Sequence, residues 1–390
     1  MKRVTYLDNA ATTPVRPEVL EAMLPYLGKD AFGNPSSAHR FGRAARAGVE
    51  EAKRAVAEAL GAEPNQVVFT SGGTEADNLA IIGGALAARE RGGPFRVVVS
   101  ATEHKAGLAA AHAVKHLGGE EVILPVTASG HVDPATLAEA LARGAAVASV
   151  MWVNNEVGTV QPVKALADRC RDAGVLFHSD AVQAFGKIPV SLRDLNCTLL
   201  TISGHKIGAP KGIGALIVRD RKAVESILHG GGQQFGIRPG TENVPGIIAL
   251  GTAARLAAAE QAHLAARLRE LRDELERRLL AIVPDAVING RQGERAPHIS
   301  NISIPGTDSE ALLMHLDLAG VACSAGSACS TGAVEPSHVL TAMGVPRELG
   351  VAALRFSFGK DSTLEDVEAV TAVFPKVVEK VRSLSAVLHR

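Results

Sequence analysis

Over residues 67–218 the chain alternates short runs of β-branched residues with longer stretches whose apolar positions recur at helical spacing. The short runs fall at 67–70, 96–100, 121–126, 146–154, 175–180, 198–202 and 213–218. Helical segments lie between them, one ending near Arg91, one near Leu117, and two opening near Pro134 and Pro162. Strands alternating with helices predict an α/β fold built on a mostly parallel sheet with right-handed crossovers. Ahead of this region, Pro14 and Pro17 predict that residues 1–20 are extended and rich in turns rather than helical. Residues 42–60 have a helical period that Gly61 brings to an end. Beyond the alternating region, residues 252–283 predict a long helix with leucines at 264, 268, 271, 275 and 279. These make one apolar stripe suited to packing between domains or subunits. Pro284 and Asp285 mark a boundary, and residues 296–304 open a smaller α/β unit.

A length of 390 residues favours two domains over one. The formal net charge is +0, which excludes the electrostatic footprint of a nucleic-acid or anionic-membrane binder. With 46% apolar and only 3% aromatic residues, the composition fits a core of Ala, Val and Leu rather than a base-stacking surface. The first residues lack a continuous apolar run, and no stretch supplies 18 uncharged apolar residues, so the expectation is a cytoplasmic protein without membrane association. Cys170, Cys197, Cys323 and Cys329 are too few and too irregular for a disulfide framework, and none forms a Cys-x-x-Cys pair for zinc. Each is then either core filler or a reactive thiol.

Residues 198–219 read as strand, tight loop, strand, with Lys206 at the centre of the loop. A lysine set between strands, where water is scarce, loses part of its preference for the charged form and becomes available as an amine nucleophile. The chemistry that most often uses such an amine is a Schiff base to pyridoxal phosphate. A solvated lysine in a glycine turn is the alternative that this loop alone leaves open.

In open parallel sheets, ligands bind beyond the carboxyl ends of the strands. Following the predicted strands come Ser71, Gly72, Gly73 and Thr74; Thr102, Glu103 and His104; Asn154, Asn155 and Glu156; Asp180 and Gln183; and Ser203, His205 and Lys206. Their types divide among the parts of one cofactor. Residues 71–74, entering a helix, offer backbone N–H groups and a hydroxyl to a phosphate. Asp180 either keeps a pyridine nitrogen protonated or caps the following segment. His104 either stacks on the ring and shuttles protons or is a polar loop residue. Gln183 falls one turn after Asp180 if the chain there is helical, which aims both the same way.

The glycine-rich loop 230–243, carrying Arg238 and Thr241, binds anions or simply connects. In the second unit Cys329 lies within a run of Ser, Ala and Gly, so an exposed, reactive thiol on a mobile segment is expected there. Cys323 follows Val321 and Ala322 and suits core filling. Arg355 alternates with apolar neighbours as in a strand, placed for bidentate capture of a carboxylate or as an edge charge.

Eight motifs carry a resemblance along essentially the whole chain. They are Tyr-Leu-Asp-Asn-Ala-Ala-Thr-Thr-Pro at 6–14, Gly-Asn-Pro-Ser-Ser at 33–37, Phe-Thr-Ser-Gly-Gly-Thr-Glu at 69–75 and Thr-Glu-His at 102–104. Asn-Asn-Glu-Val-Gly-Thr at 154–159, Asp-Ala-Val-Gln at 180–183, Ser-Gly-His-Lys at 203–206 and Gly-Ser-Ala-Cys at 326–329 complete the set. With them the chain resembles the pyridoxal-phosphate-dependent cysteine desulfurases of the nitrogen-fixation and iron–sulfur-cluster-assembly type, in the long-loop branch.

The resemblance implies an aspartate aminotransferase-like fold of type I. A large cofactor-binding domain would span 15–259, and a smaller domain of 1–14 and 260–390 would carry the cysteine loop at about 324–333. It implies a homodimer that turns L-cysteine into L-alanine and passes sulfur to an acceptor or iron–sulfur scaffold protein. Lys206 resembles the Schiff-base lysine, Asp180 the pyridine partner, Gln183 the phenolate contact and His104 the stacking residue. Gly73, Thr74, Ser203 and His205 resemble the phosphate contacts, with Thr241 reaching across from the other subunit. Asn155 and Arg355 resemble the clamp on the substrate carboxylate, and Cys329 the nucleophile that becomes a persulfide. No permanent metal is implied, with Cys329 open to transient iron–sulfur ligation. There are two departures from the pattern: Gln234-Phe235 where Glu-Arg is frequent, and Ala209 where Gly is usual.

Overall fold

The computed structural model describes residues 4–325 and 335–388. A two-residue strand, β1 (Thr5–Tyr6), comes first and stays outside the main sheet. Pro17 then stands at the first position of α1 (Pro17–Met23), where a helix needs no N–H donor, so the extended opening segment stops earlier than expected. Helix α2 (Arg40–Leu60) follows and ends at Gly61.

The main sheet holds β2 (Val67–Thr70), β3 (Arg96–Ser100), β4 (Glu120–Leu124), β5 (Val147–Ser149), β6 (Leu176–Asp180), β7 (Leu199–Ser203) and β8 (Gly214–Val218). Their order is β2-β8-β7-β6-β5-β3-β4, and only β8 runs antiparallel to its neighbours. The β-branched runs become strands because the sheet is covered on both faces and nearly every position in it is buried. The covering helices are α3 (Gly73–Asn78), α4 (Gly84–Glu90), α5 (Lys105–His116), α6 (Pro134–Leu141) and α7 (Val163–Asp172). A π-turn over Leu79–Gly83 joins α3 to α4. Because β3, β5, β6 and β7 run parallel, their carboxyl ends deliver polar side chains to one rim.

Helix α8 (Val244–Ile282) belongs to two cores. Val244, Ile247, Leu250, Ala253 and Ala257 pack in the first core with α2 and the sheet. Leu264, Leu268, Leu271, Leu275 and Leu279 pack in a second core with Leu7, Phe356 and Phe374. The change of core therefore falls inside the helix, not at Pro284 and Asp285 as the sequence punctuation suggests. The second core is completed by β9 (Val287–Ile288), β10 (Ile299–Ser303), α9 (Ser309–Leu318), β11 (Val321–Ala322), β12 (Ala353–Ser357) and α12 (Leu364–Leu388), while between β11 and β12 lie α10 (His338–Ala342), whose Val339 and Leu340 pack with Val157 in a separate small cluster, and α11 (Arg347–Gly350). There β10 lies between β12 and β9, while β11 pairs in parallel with β1. The first and last parts of the chain thus share one unit.

Helices α2 and α8 approach closely at Gly251, where a Cβ would stand 2.7 Å from the Ala52 Cα. That neighbour is backbone and cannot rotate away. Gly251→Ala is expected to lower stability by about 1–3 kcal/mol, read by urea denaturation. Gly232→Ala, where a Cβ meets nothing within 4 Å, should change it by no more than about 0.5 kcal/mol.

Candidate active site

A cavity of about 410 Å³ opens where the carboxyl ends of the main sheet face the second unit. Ten of the predicted site residues line it: Gly73, Thr74, His104, Asn155, Asp180, Gln183, Ser203, His205, Lys206 and Arg355. They come from the start of α3, the residue before α5, the turn after β5, the end of β6, the turn after β7, and β12. Thr241 is not among them; it is exposed on the loop before α8. Cys329 and most of the predicted loop lie outside the described residues.

Lys206 is held by the backbone of the opening segment. Its Nζ donates to the carbonyls of Ala10 and Ala11, both at 2.6 Å. Burial, and then the positive charge of Arg355, pull the amine down to about 8 against the opposing influence of Asp180 and Asp8. His205 beside it is pushed down to about 4, mainly by burial, so it stands in the pocket as a neutral imidazole. His104 caps α5: its Nδ1 accepts from the Ala106 N–H at 3.1 Å, which leaves the proton on Nε2. Burial and then the Lys206 charge hold His104 below its ordinary value.

Asp180 ends β6, and its Oδ1 accepts from the Val182 N–H at 2.8 Å. The carboxyl both caps a turn and lines the pocket. Burial raises it to about 6. A carboxylate with so little compensation is what a cationic ring nitrogen would satisfy. The start of α3 supplies N–H groups toward the same cavity, and Ser203, Thr74 and neutral His205 add donors for a phosphate. This donor set fits pyridoxal phosphate. Gln183 lies in a run of turns rather than a helix, so its aim is set by its bonds instead of by helical spacing. Its Nε2 donates to the Ala10 carbonyl at 2.8 Å, and its Oε1 lies 3.2 Å from His298 Nε2.

Arg355 reaches the pocket from the edge strand of the second unit. Its Nη1 donates to the Asn155 carbonyl at 2.9 Å and its Nη2 to Asp8 Oδ1 at 2.7 Å. Its Nε is buried with no partner. That orphan donor, with Asn155 alongside, has the chemistry that a carboxylate would satisfy. Asp8, Asp77, Met151 and the Ala10 and Ala11 carbonyls belong to the site although sequence reasoning did not select them. For Asp77 a signal existed: it lies one turn after Gly73 and so shares its face of α3.

The two departures have local explanations. Gln234 and Phe235 adopt left-handed backbone angles, φ 47° and 63°, and Gln234 is fixed there by accepting from the Phe69 N–H at 3.0 Å and donating to Glu242. Phe235 is covered by the Lys53 and Arg221 cations, 4.4 and 4.6 Å from its ring centre. Ala209 is buried in the first core.

The profile described as Aminotransferase class-V matches residues 5–370. The cysteine desulfurase IscS of Dictyoglomus turgidum is 45% identical over 385 residues, covering 99% of this chain and 97% of the relative. That of Methanosarcina thermophila is 44% identical, covering 98% and 94% respectively. Among solved structures, a NifS-like protein from Rickettsia africae superposes with a TM-score of 0.87 at 32% identity, covering 97% of this chain and 100% of that one.

If the amine of Lys206 ionises near 8, capture of pyridoxal phosphate by the cofactor-free protein should accelerate as pH rises through about 8 and then level off. Rapid-mixing absorbance from pH 6 to 10 checks this; a midpoint near the ordinary lysine value would contradict the geometry described.

Proposed function

The chain belongs to the class-V aminotransferase family, and on that footing we propose how its residues perform the cysteine desulfurase reaction. It is a pyridoxal-phosphate-dependent cysteine desulfurase that acts on L-cysteine and supplies sulfur for iron–sulfur cluster assembly. The observation that carries the residue roles is the convergence of an amine, a carboxylate and a guanidinium, those of Lys206, Asp180 and Arg355, on one cavity.

When bound, pyridoxal phosphate supplies an electron sink for the substrate Cα. Lys206 Nζ would hold the cofactor and, as a free amine, would take the proton from the substrate Cα. Asp180 holds the charge of the ring nitrogen, and Gln183 and His104 fix the ring's position. Gly73, Thr74, Ser203 and His205 hold the phosphate, joined by Thr241 of a second copy of this chain. Arg355 and Asn155 orient the substrate carboxylate, so that Cα faces Lys206 and the sulfur faces outward. Cys329 then attacks that sulfur as thiolate. The carbon–sulfur bond breaks, its electron pair stays on carbon and is protonated, and a sulfur–sulfur bond forms. One thiol of substrate and one of enzyme become alanine and an enzyme persulfide, with no external oxidant or reductant.

Three further readings belong to the same proposal. The large domain spans 15–259 and the smaller domain 1–14 with 260–390, supported by the two cores along α8. The protein is a homodimer, supported by the exposed apolar residues Leu20, Leu24, Leu27 and Phe32. It works in the cytoplasm and hands sulfur to an acceptor protein, because a thiolate nucleophile needs a reducing compartment. No helix among the described residues is long and apolar enough to cross a membrane.

Lys206→Ala is expected to lower turnover of L-cysteine by about 10²–10⁴-fold, as for loss of a general base. Cys329→Ser should abolish sulfide release under reductant, and mass spectrometry of the parent after one turnover should find one added sulfur on the Cys329 peptide. Alanine produced without that added sulfur would overturn the assignment.

A further inference from the structure

Under the pocket, a row of buried polar side chains crosses the sheet without any part in the steps above. It runs from Glu103, after β3, through Ser149 on β5, His178 on β6 and Thr201 on β7 to Asp77 on α3. All five are buried, and of the five only Asp77 lines the cavity. Glu103 Oε1 accepts from the Met151 N–H at 2.6 Å, and Ser149 Oγ lies 3.2 Å from Glu103 Oε2. His178 joins the row on both sides, with Nδ1 2.8 Å from Ser149 Oγ and Nε2 3.0 Å from Thr201 Oγ1. The Thr201 side chain also neighbours the Asp77 carboxyl and favours its ionised form. Asp77 Oδ1 has no hydrogen-bond partner and lies 3.6 Å from His178 Nε2.

Counting protons along this row leads to a definite result. Each hydroxyl donates once, and a neutral imidazole donates from one nitrogen only. If Ser149 donates to Glu103, His178 must donate from Nδ1 to Ser149, and Thr201 must donate to Nε2. Asp77 then needs a proton of its own to bond Thr201. In the opposite arrangement Glu103 carries the proton and donates to Ser149, Ser149 donates to Nδ1, Nε2 donates to Thr201, and Thr201 donates to ionised Asp77. The two arrangements differ by one proton moved end to end, and each carries a single negative charge.

We propose that this row is a proton relay in which Asp77 and Glu103 share one proton, and that these two residues set how much negative charge stands beside Asp180. They are positioning residues, acting on the cofactor through Asp180. Asp180 on β6 acts on both carboxyl ends of the row and is itself opposed by Lys206 after β7, while His338 Nε2 lies 2.9 Å from the Glu103 carbonyl. The surroundings agree with a shared proton: burial raises Asp77 well above its ordinary value, lifts Glu103 to about 8, and depresses His178 to about 3, so the imidazole passes protons without holding charge.

The two ends can be frozen separately. In Asp77→Asn the amide donates to Thr201 and the charge stays on Glu103. In Glu103→Gln the amide donates to Ser149 and the charge stays on Asp77, at the pocket wall. Each single variant keeps every bond of the row, whereas the double variant drives donors inward from both ends, and one bond at His178 is lost.

The thermal midpoint of the cofactor-free protein should therefore be near that of the parent in both single variants and fall by about 2–4 °C more than their sum in the double variant. In the loaded protein, the midpoint pH of the visible absorption change should rise in Glu103→Gln and fall in Asp77→Asn, each by about half a unit or more, because nearby negative charge favours the protonated cofactor. Additive thermal shifts would overturn the relay, as would spectral midpoints that stay put or move together. The spectral arm rests on the proposed cofactor site; the thermal arm does not, so a failure of cofactor binding leaves the relay decided by the thermal cycle.

Discussion

The segment from Leu7 to Thr13 ties the site together, because it is bonded to both cores and to the reactive amine. Leu7 is packed in the second core. Asn9 Nδ2 donates to the Ser357 carbonyl at 3.0 Å, and the Ala10 N–H donates to Ser357 Oγ at 2.9 Å. On the other side the Thr13 N–H donates to the His205 carbonyl at 2.9 Å, while Gln183 and Lys206 both donate to the Ala10 carbonyl. Each such bond contributes about 1 kcal/mol to stability. Their larger effect is geometric: they fix Lys206, Gln183 and Arg355 relative to one strap, so the amine and the guanidinium meet the same cavity from different units.

Charge inside the cavity is arranged around what it will receive. Lys206 and Arg355 are opposed by Asp8 and Asp180, yet burial still moves Lys206 to about 8 and Asp180 to about 6. Two unit charges 4 Å apart interact by about 4 kcal/mol at an effective dielectric near 20, enough to offset part of the desolvation of each group but not to restore ordinary ionisation. The Asp8–Arg355 contact shows the same logic, since it satisfies Nη2 of the guanidinium while Nε stays without a partner.

Much of this is legible in the sequence alone. The seven runs of β-branched residues became the strands of the main sheet because burial on both faces rewards such residues whatever their neighbours. The polar residues after them share a rim for topological reasons alone. Other features depend on contacts far apart in the chain. Helix α8 begins at Val244 rather than near 252, because its first turns are buried nearly all round and lack an amphipathic pattern. Asp8 and Arg355 are 347 residues apart, and no local signal links them. The left-handed pair Gln234 and Phe235 is fixed by bonds to Phe69 and Glu242 that composition does not reveal. Pro17 misled because proline forbids the middle of a helix but suits its beginning.

The pairing of β1 with β11, and of Asp8 with Ser357, also fixes when the pocket can come into being. During synthesis the strap emerges long before its partners on β11 and β12. The sheet bearing Asp180 and Lys206 can fold on the way, as units completed early generally do. The Arg355 guanidinium, on β12, follows only much later. Until β12 has emerged, a nascent chain therefore carries the amine without the guanidinium that completes the cavity.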